Sequence, residues 1–455
     1  MIAVAHPSTT TIIIPVKEGS EKALDDHLTA VGRNRRSKLF KGLTSTGTIH
    51  YARFVLLPAE NGFGALLAFE SNHDGDEDEH LADLAAHLAP ELDRMFDHCD
   101  GYPECPDHAK RSRFLRKHAV SGVTPYRGHP NLPVAMIKND IALKKAIGTF
   151  VDAETRRGGL AGTPNEIRDA IRKHVDANHR DLERGAYPRE LPSWTSFGLV
   201  IALLLIGISG FSAILLALAL GISGPAVVLT WAGSFIGLVL LILAGYLAFG
   251  RWVRGIEQTE RAESDRKRGS VIREPDRRMR EIFWSEDRQT QNALTHVAIV
   301  KKTPGRPLVL WIILTAVRLL AAMLYVHGKL GSIDSIHCAR WIPIDRGRRL
   351  LFFSNYDGSW ESYLGEYVDK LPFWLTAVWS NTEDFPTTTD RFGGNGARDE
   401  EWFKRWTRTR QHYTHLWYAA YPNLSVQNVN DNAALREGLT GPLGDKELRA
   451  WLRLI

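Results

Sequence analysis

The chain has 455 residues, 44% hydrophobic and 24% charged, with a formal net charge of +5 and a mean hydropathy of −0.20. That length allows two or three domains with separate cores, and the small positive balance, free of long single-sign runs, argues against nucleic acid as a partner. Three cysteines (Cys99, Cys105, Cys338) are too few for a disulfide framework and point to a reducing compartment.

The first ten residues lack the basic start and apolar run of a signal peptide. Residues 9–16 read as a β-branched strand, and 19–31 as a helix through the spacing of Leu24, Leu28 and Val31. Residues 49–58 and 64–70 form a predicted strand pair around a Glu-Asn-Gly turn. Asp74 is then expected to cap a helix over 77–96, with Asp76, Glu77 and Asp78 favouring its positive end. A basic helix over 109–118 and a strand toward Tyr126 complete a first unit, 8–150, and a linker follows over 151–196.

Residues 197–221 and 225–249 are two runs without a charged side chain. Each reaches roughly 37 Å as a helix, more than the ~30 Å hydrocarbon core, so 197–249 reads as a transmembrane hairpin turned at Ile222, Ser223 and Gly224. Arg180, Arg184 and Arg189 precede it, and Arg251, Arg254, Arg261, Arg266, Lys267 and Arg268 follow it. That bias predicts a multi-pass protein of the inner (cytoplasmic) membrane with both soluble parts in the cytoplasm. Gly207, Ser209, Gly210, Ser212, Gly233, Ser234 and Gly237 allow close helix approach, within the chain or in a homo-oligomer. No ionisable side chain lies in either run, so an anchor is expected rather than an ion path.

After a charged linker, 250–290, a second unit runs over 291–440: a strand at 295–301, an apolar helix at 307–326, strands at 336–344 and 349–355, helices at 360–374 and 399–410, and a strand at 415–420. Arg318 interrupts the apolar helix, which is expected to lie on the sheet, partly in the membrane interface. Residues 441–455 read as a tail.

The two units are copies. Ser71-Asn72-His73-Asp74-Gly75 returns as Ser354-Asn355-Tyr356-Asp357-Gly358, and Ile49-His50-Tyr51-Ala52-Arg53-Phe54 as Ile336-His337-Cys338-Ala339-Arg340-Trp341. Tyr102-Pro103 and Phe385-Pro386 fall equally far beyond the aspartates, and Tyr126 through Asn131 matches Tyr418 through Asn423. Four blocks in one order indicate a duplication. Each copy reads β-α-β-β-α-β, the ferredoxin-like pattern, and Ala142 to Ile147 matches Ala434 to Leu439 as an appended helix. The expected class is α+β: tandem ferredoxin-like repeats forming a pseudo-dimeric barrel, with the hairpin inserted between them.

This order resembles the dimeric α/β-barrel (ferredoxin-like) superfamily, which includes dye-decolourising peroxidases and chlorite dismutases. Gln291-Asn292, the His337 block, Ser354 through Tyr363, and Trp379-Ser380-Asn381 are more closely similar to a group of bacterial membrane proteins. The Ser-Asn-x-Asp-Gly element resembles the peroxidase Gly-x-x-Asp-Gly motif, with Ser71 and Ser354 in place of its first glycine. That resemblance implies haem and peroxide chemistry, with His337, Arg340 and Asp357 catalytic and His412 or His415 offering a haem ligand.

From the residues themselves, Asp74 and Asp357 also fit helix caps, and His50 and His337 also fit buried, hydrogen-bonded core positions. His and Arg three apart in a strand point to opposite faces unless a bulge intervenes. Asn355, Trp379, Asn381, Trp417 and Tyr418 form a candidate substrate wall. His98, Cys99, Cys105 and His108 are zinc-ligand types at unsuitable spacing, and no metal is expected. No nucleotide, nucleophile-elbow or HExxH motif occurs. Two readings stand open: a membrane-anchored enzyme acting on a small apolar molecule from the bilayer, or a non-enzymatic, membrane-tethered ligand-binding or scaffolding protein.

Overall fold

The computed structural model describes residues 7–120, 124–129, 131–160, 162–186, 194–267, 277–286, 288–324 and 333–455. In chain order the first half contains β1 (Pro7–Pro15), α1 (Glu21–Arg33), α2 (Lys38–Ser45), β2 (Ile49–Leu57), β3 (Leu66–Asp74), α3 (Glu77–His87), α4 (Ala89–Phe96), α5 (His108–His118) and β4 (Thr124–Arg127). Helices α6 (Val134–Arg157), α7 (Pro164–Asn178), α8 (Trp194–Leu220), α9 (Ala226–Lys267) and α10 (Arg277–Glu286) come next. The second half has β5 (Gln291–Ile299), α11 (Arg306–Leu324), β6 (Ile336–Ile344), β7 (Arg349–Asp357), α12 (Trp360–Lys370) and α13 (Pro372–Trp379). A short hairpin of β8 (Thr388–Thr389) and β9 (Gly394–Asn395) leads to α14 (Glu400–Thr409), β10 (Leu416–Ala419), α15 (Val426–Thr440) and α16 (Asp445–Leu452).

The fold is α+β, with two four-stranded antiparallel sheets ordered β1-β3-β2-β10 and β4-β6-β7-β5. Each half therefore gives its last strand to the other half's sheet. The segments leading into these strands remain with their own half. Ala119 bridges Ile12, and Gln411 bridges His296.

The sheets face each other across Val55, Leu57, Leu66, Ala68, Val297, Ile342, Ile344, Leu351 and Phe353. Burying each such side chain contributes about 1.5–3 kcal/mol, so the space between the sheets is filled rather than hollow. Helices α1–α5 cover the outer face of the first sheet through Leu24, Leu28, Leu43, Leu84 and Phe96. Helices α11–α14 cover the second through Leu310, Leu314, Trp360, Trp379 and Trp406.

Local chemistry explains the departures from the sequence reading. The helix expected over 77–96 breaks into α3 and α4, and that over 360–374 into α12 and α13, at Pro90 and Pro372 in the first turn of each second piece. Asp76, not Asp74, caps α3, accepting from the Asp78 and Glu79 amides, and Ser359 caps α12. Gly75 and Gly358 have φ of +85° and +75°, a left-handed turn that explains the repeated Asp-Gly. The region read as a tail carries α16, which buries Trp451 against the α6–α15 pair.

Helix α9 is the one helix among the described residues long and apolar enough to cross a membrane. None of its most apolar window is buried, unlike a soluble core helix. Helix α8 packs antiparallel to it, with the Trp231 indole donating to Ser209 Oγ at 3.2 Å, and its described apolar part, Leu205–Leu220, is shorter. Arg189 and Arg268, part of the charge bias, lie outside the described residues. Beyond its apolar run α9 is clamped to the second half: Glu257 accepts from the Arg391 and Phe392 amides at 3.0 Å, and Glu260 pairs with Lys301 and the buried Arg306.

Candidate functional site

The site grows from two β-bulges. Strand register shifts between Ile49 and Tyr51 in β2, and between Ile336 and Cys338 in β6, so His50 and His337 are the extra residues. A bulge re-aims the side chains that follow it, which removes the parity objection to a histidine and an arginine three apart sharing one face.

At one bulge, His337 Nε2 lies 2.7 Å from Asp357 Oδ1 and its Nδ1 2.9 Å from the Tyr51 hydroxyl. At the other, His50 Nε2 lies 3.0 Å from Asp74 Oδ1 and its Nδ1 2.7 Å from the Tyr421 hydroxyl. Each carboxylate also accepts from the first amide of an appended helix, Val134 to Asp74 at 2.8 Å and Val426 to Asp357 at 2.6 Å. The positive ends of α6 and α15 thus hold both aspartates in place.

A carboxylate on Nε2 leaves Nδ1 of a neutral imidazole to accept from the phenol. The Tyr51 and Tyr421 rings meet edge to face, 5.5 Å apart. The result is two hydrogen-bonded arms, Asp74–His50–Tyr421 and Asp357–His337–Tyr51, whose phenols meet across the join between the halves. With each phenol donating to its own Nδ1, neither hydroxyl has a proton left to donate across that contact. The contact therefore has room for one more proton, with a carboxylate at the end of each arm to balance it. Burial pushes both phenols well above their ordinary value, so they remain neutral acids.

A cavity of about 20 Å³ touches both arms, lined by His50, Tyr51, Asn72, His129, His337 and Tyr421 among others. It is large enough for one water. Gln291 and Trp417 separate it from an open cleft of about 750 Å³. The Trp417 ring stacks parallel to Tyr51 at 6.4 Å, and Gln291 Nε2 lies 3.5 Å from the Tyr51 hydroxyl. The cleft wall sets the cations Arg35, Lys41 and Arg288 and the amide of Asn423 among the apolar Phe40, Trp417, Tyr418, Ala419 and Pro422.

Deeper between the sheets, Arg53 pairs with Glu70 at 2.9 Å and donates to the Leu294 and Ser354 carbonyls and to Asn355. Arg340 makes the reciprocal reach, donating to the Thr9 carbonyl and Thr11 Oγ1, both at 2.9 Å. Burial raises the Glu70 carboxyl, while Arg53 and Arg340 pull it the other way.

Of the residues singled out from sequence, His337, Asp357, Asn355 and Trp417 come together here. Arg340 shares the inner face but serves the join between halves, and Tyr418 lines the cleft from the helix side. The others sit elsewhere. His415 Nε2 meets Asp25 at 2.8 Å, and its Nδ1 accepts from the Leu56 amide. The His412 ring faces Glu60 at 3.9 Å. Trp379 is core, against His296 and Trp406, and Asn381 ties down the end of α13. Tyr51, Tyr421 and Gln291 were missed as site residues, although the first two lie inside the matched blocks.

A haem does not fit these residues. Both ring nitrogens of His50, His337 and His415 are engaged, and no histidine lines the cleft of about 750 Å³. The zinc-type cluster disperses: burial pushes the Cys99 thiol up to about 12, Cys105 is exposed, and His108 faces the Ala82 carbonyl. No family model, curated protein or solved structure matches this chain.

Proposed function

We propose that the chain is a membrane-anchored acid–base enzyme acting on a small anionic molecule. In this reading two ferredoxin-like repeats exchange their last strands and close a pseudo-dimeric barrel. The α8–α9 hairpin crosses the bilayer twice, with the barrel on the cytoplasmic face. The single observation that carries the proposal is the Asp357–His337–Tyr51 chain ending beside a cleft. Tyr51 delivers or receives the proton, His337 exchanges it, and Asp357 holds the imidazole in the required tautomer.

Arg35, Lys41 and Arg288 with the Asn423 amide suit a carboxylate or phosphate. They do not suit an apolar molecule from the bilayer. The cleft also opens at Gln291, at the start of β5, whereas α9 is clamped just beyond its end, about 26 Å further along the strand.

The test is to incubate full-length protein with a panel of small carboxylates and phosphate esters in D2O and follow their proton NMR signals. At least one should be converted or exchanged by the parent, at a rate reduced 10²-fold or more in Tyr51→Phe and His337→Asn with melting temperature nearly kept. Equal turnover in parent and both variants, or none with any panel member, overturns the proposal. A tethered scaffold is the competing reading, favoured by the second bond each aspartate makes to a helix amide. It expects Asp357→Asn to lower stability and nothing else.

A further inference from the structure

We infer that α11 is an in-plane membrane helix whose outward face lies in the lipid interface, so that the second half rests on the bilayer rather than hanging below it. This rests on the reading of α8–α9 as the anchor and adds a second, independent membrane contact.

On α11, Val309, Leu310, Ile313 and Leu314 are buried against the second sheet. On the opposite side Leu308, Trp311 and Leu319 are exposed by 52, 63 and 54%. At 100° per residue these three fall within one narrow stripe. Arg318 borders the same stripe, on a stem long enough to bring its guanidinium to lipid phosphate. Thr315, also on that side, donates to the Trp311 carbonyl at 2.8 Å and needs no water.

The height of the helix is set by its neighbours. Trp252 lies three residues past Phe249, the end of the apolar run of α9, a rise of about 4.5 Å. Its ring packs so closely on Gly305 that a Cβ there would stand 2.4 Å from it. Gly305 immediately precedes α11, so the helix begins within the headgroup region, and α8 packs against it as well. Two more half-exposed aromatics, Trp252 and Phe373, belong to the same neighbourhood, with the exposed Arg251 and Arg254 beside them. Aromatic rings and cations at one level are what a bilayer surface with anionic lipid attracts.

The experiment uses full-length protein in phosphatidylcholine–phosphatidylglycerol vesicles, spin-labelled at single cysteines. Trp311→Cys and Leu308→Cys probe α11 on a background with Cys105→Ser and Cys338→Ser, in which the remaining Cys99 is buried. Leu229→Cys probes the hairpin on the same background, and Cys105, exposed in the first half and retained with Cys338→Ser, is the water control. Labels at 308 and 311 should collide several-fold more with oxygen, relative to a nickel chelate, than the label at 105 does. If 229 lies in lipid while 308 and 311 behave like 105, α11 does not dock and only this inference falls. If 229 also behaves like 105, the anchor fails and this inference with it.

Discussion

The two halves share a skeleton and differ at the tips. Both place a histidine on a bulge, an aspartate at the end of the next strand, and the amide of an appended helix on that aspartate. The partners diverge. Tyr51 of the first half corresponds to Cys338 in the second, and Tyr421 of the second corresponds to His129 in the first. Gln291, which donates to the Tyr421 carbonyl at 3.2 Å, has Pro7 as its counterpart, with no donor to offer. The shared framework borders the two exchanged strands, with β10 beside β2 and β4 beside β6. The phenols and the amide sit together on one side, beside a cleft of about 750 Å³.

The largest effect that tests this contrast lies in the interior. Glu70 sits between Arg53 and Arg340, whereas its counterpart is Phe353, over which Arg53 stacks at 4.8 Å. One carboxylate therefore serves two buried guanidiniums. Glu70→Ala should cost roughly 3–5 kcal/mol, read by chemical denaturation of the soluble halves in full-length protein. The charge-matched change in the other half, Phe353→Glu, should not restore it. A loss below about 1 kcal/mol would mean the halves are not joined through this triad.

The appended helices repeat the contrast at smaller scale. Asp140 and Arg436 pair at 2.7 Å in the α6–α15 contact, while their counterparts are the uncharged Asn432 and the cationic Lys144, which cannot form an ion pair. Burial raises the Asp140 carboxyl to about 6, against the pull of Arg436. The folded chain thus holds this proton after the unfolded chain has lost it. Stability should fall as pH rises from about 4 to about 6, by at most roughly 3 kcal/mol, and level off above. In Asp140→Asn the gap between denaturation midpoints at pH 4.5 and pH 7 should narrow. An unchanged gap would refute the assignment.

The parts legible in the sequence were those present in both of its matched blocks. The repeated Asp-Gly marked a left-handed turn, and His337 with Asp357 proved to be one hydrogen-bonded pair. The exchange of last strands was not legible, because residues that match between copies cannot say which copy's sheet a strand joins. The bulges were hidden for a related reason. His50 and His337 look like ordinary strand residues until a register exists to count against. Tyr51 and Tyr421 stand in the matched blocks only as aromatic positions, and both are buried; their role comes from hydroxyl positions that no spacing rule encodes. Basic residues of the cleft come from two distant segments, Arg35 with Lys41 around the start of α2 and Arg288 before β5, and only the fold brings them together.

The smallest change in stability gives the sharpest comparison. Tyr51→Phe and Tyr421→Phe each remove one hydroxyl from one of the two arms and leave one imidazole Nδ1 without its donor, at a cost of about 1 kcal/mol in either case. If the arms only staple the halves, the two variants are equivalent in every readout. If they move a proton, the variants differ. Tyr51 touches the Gln291–Trp417 partition of the cleft, whereas Tyr421 reaches ligand only through Tyr51. Loss of Tyr51 should then abolish turnover, and loss of Tyr421 should slow it while leaving ligand binding unchanged. Measured side by side with melting temperatures, equal activities at equal stability would return the arms to a structural role.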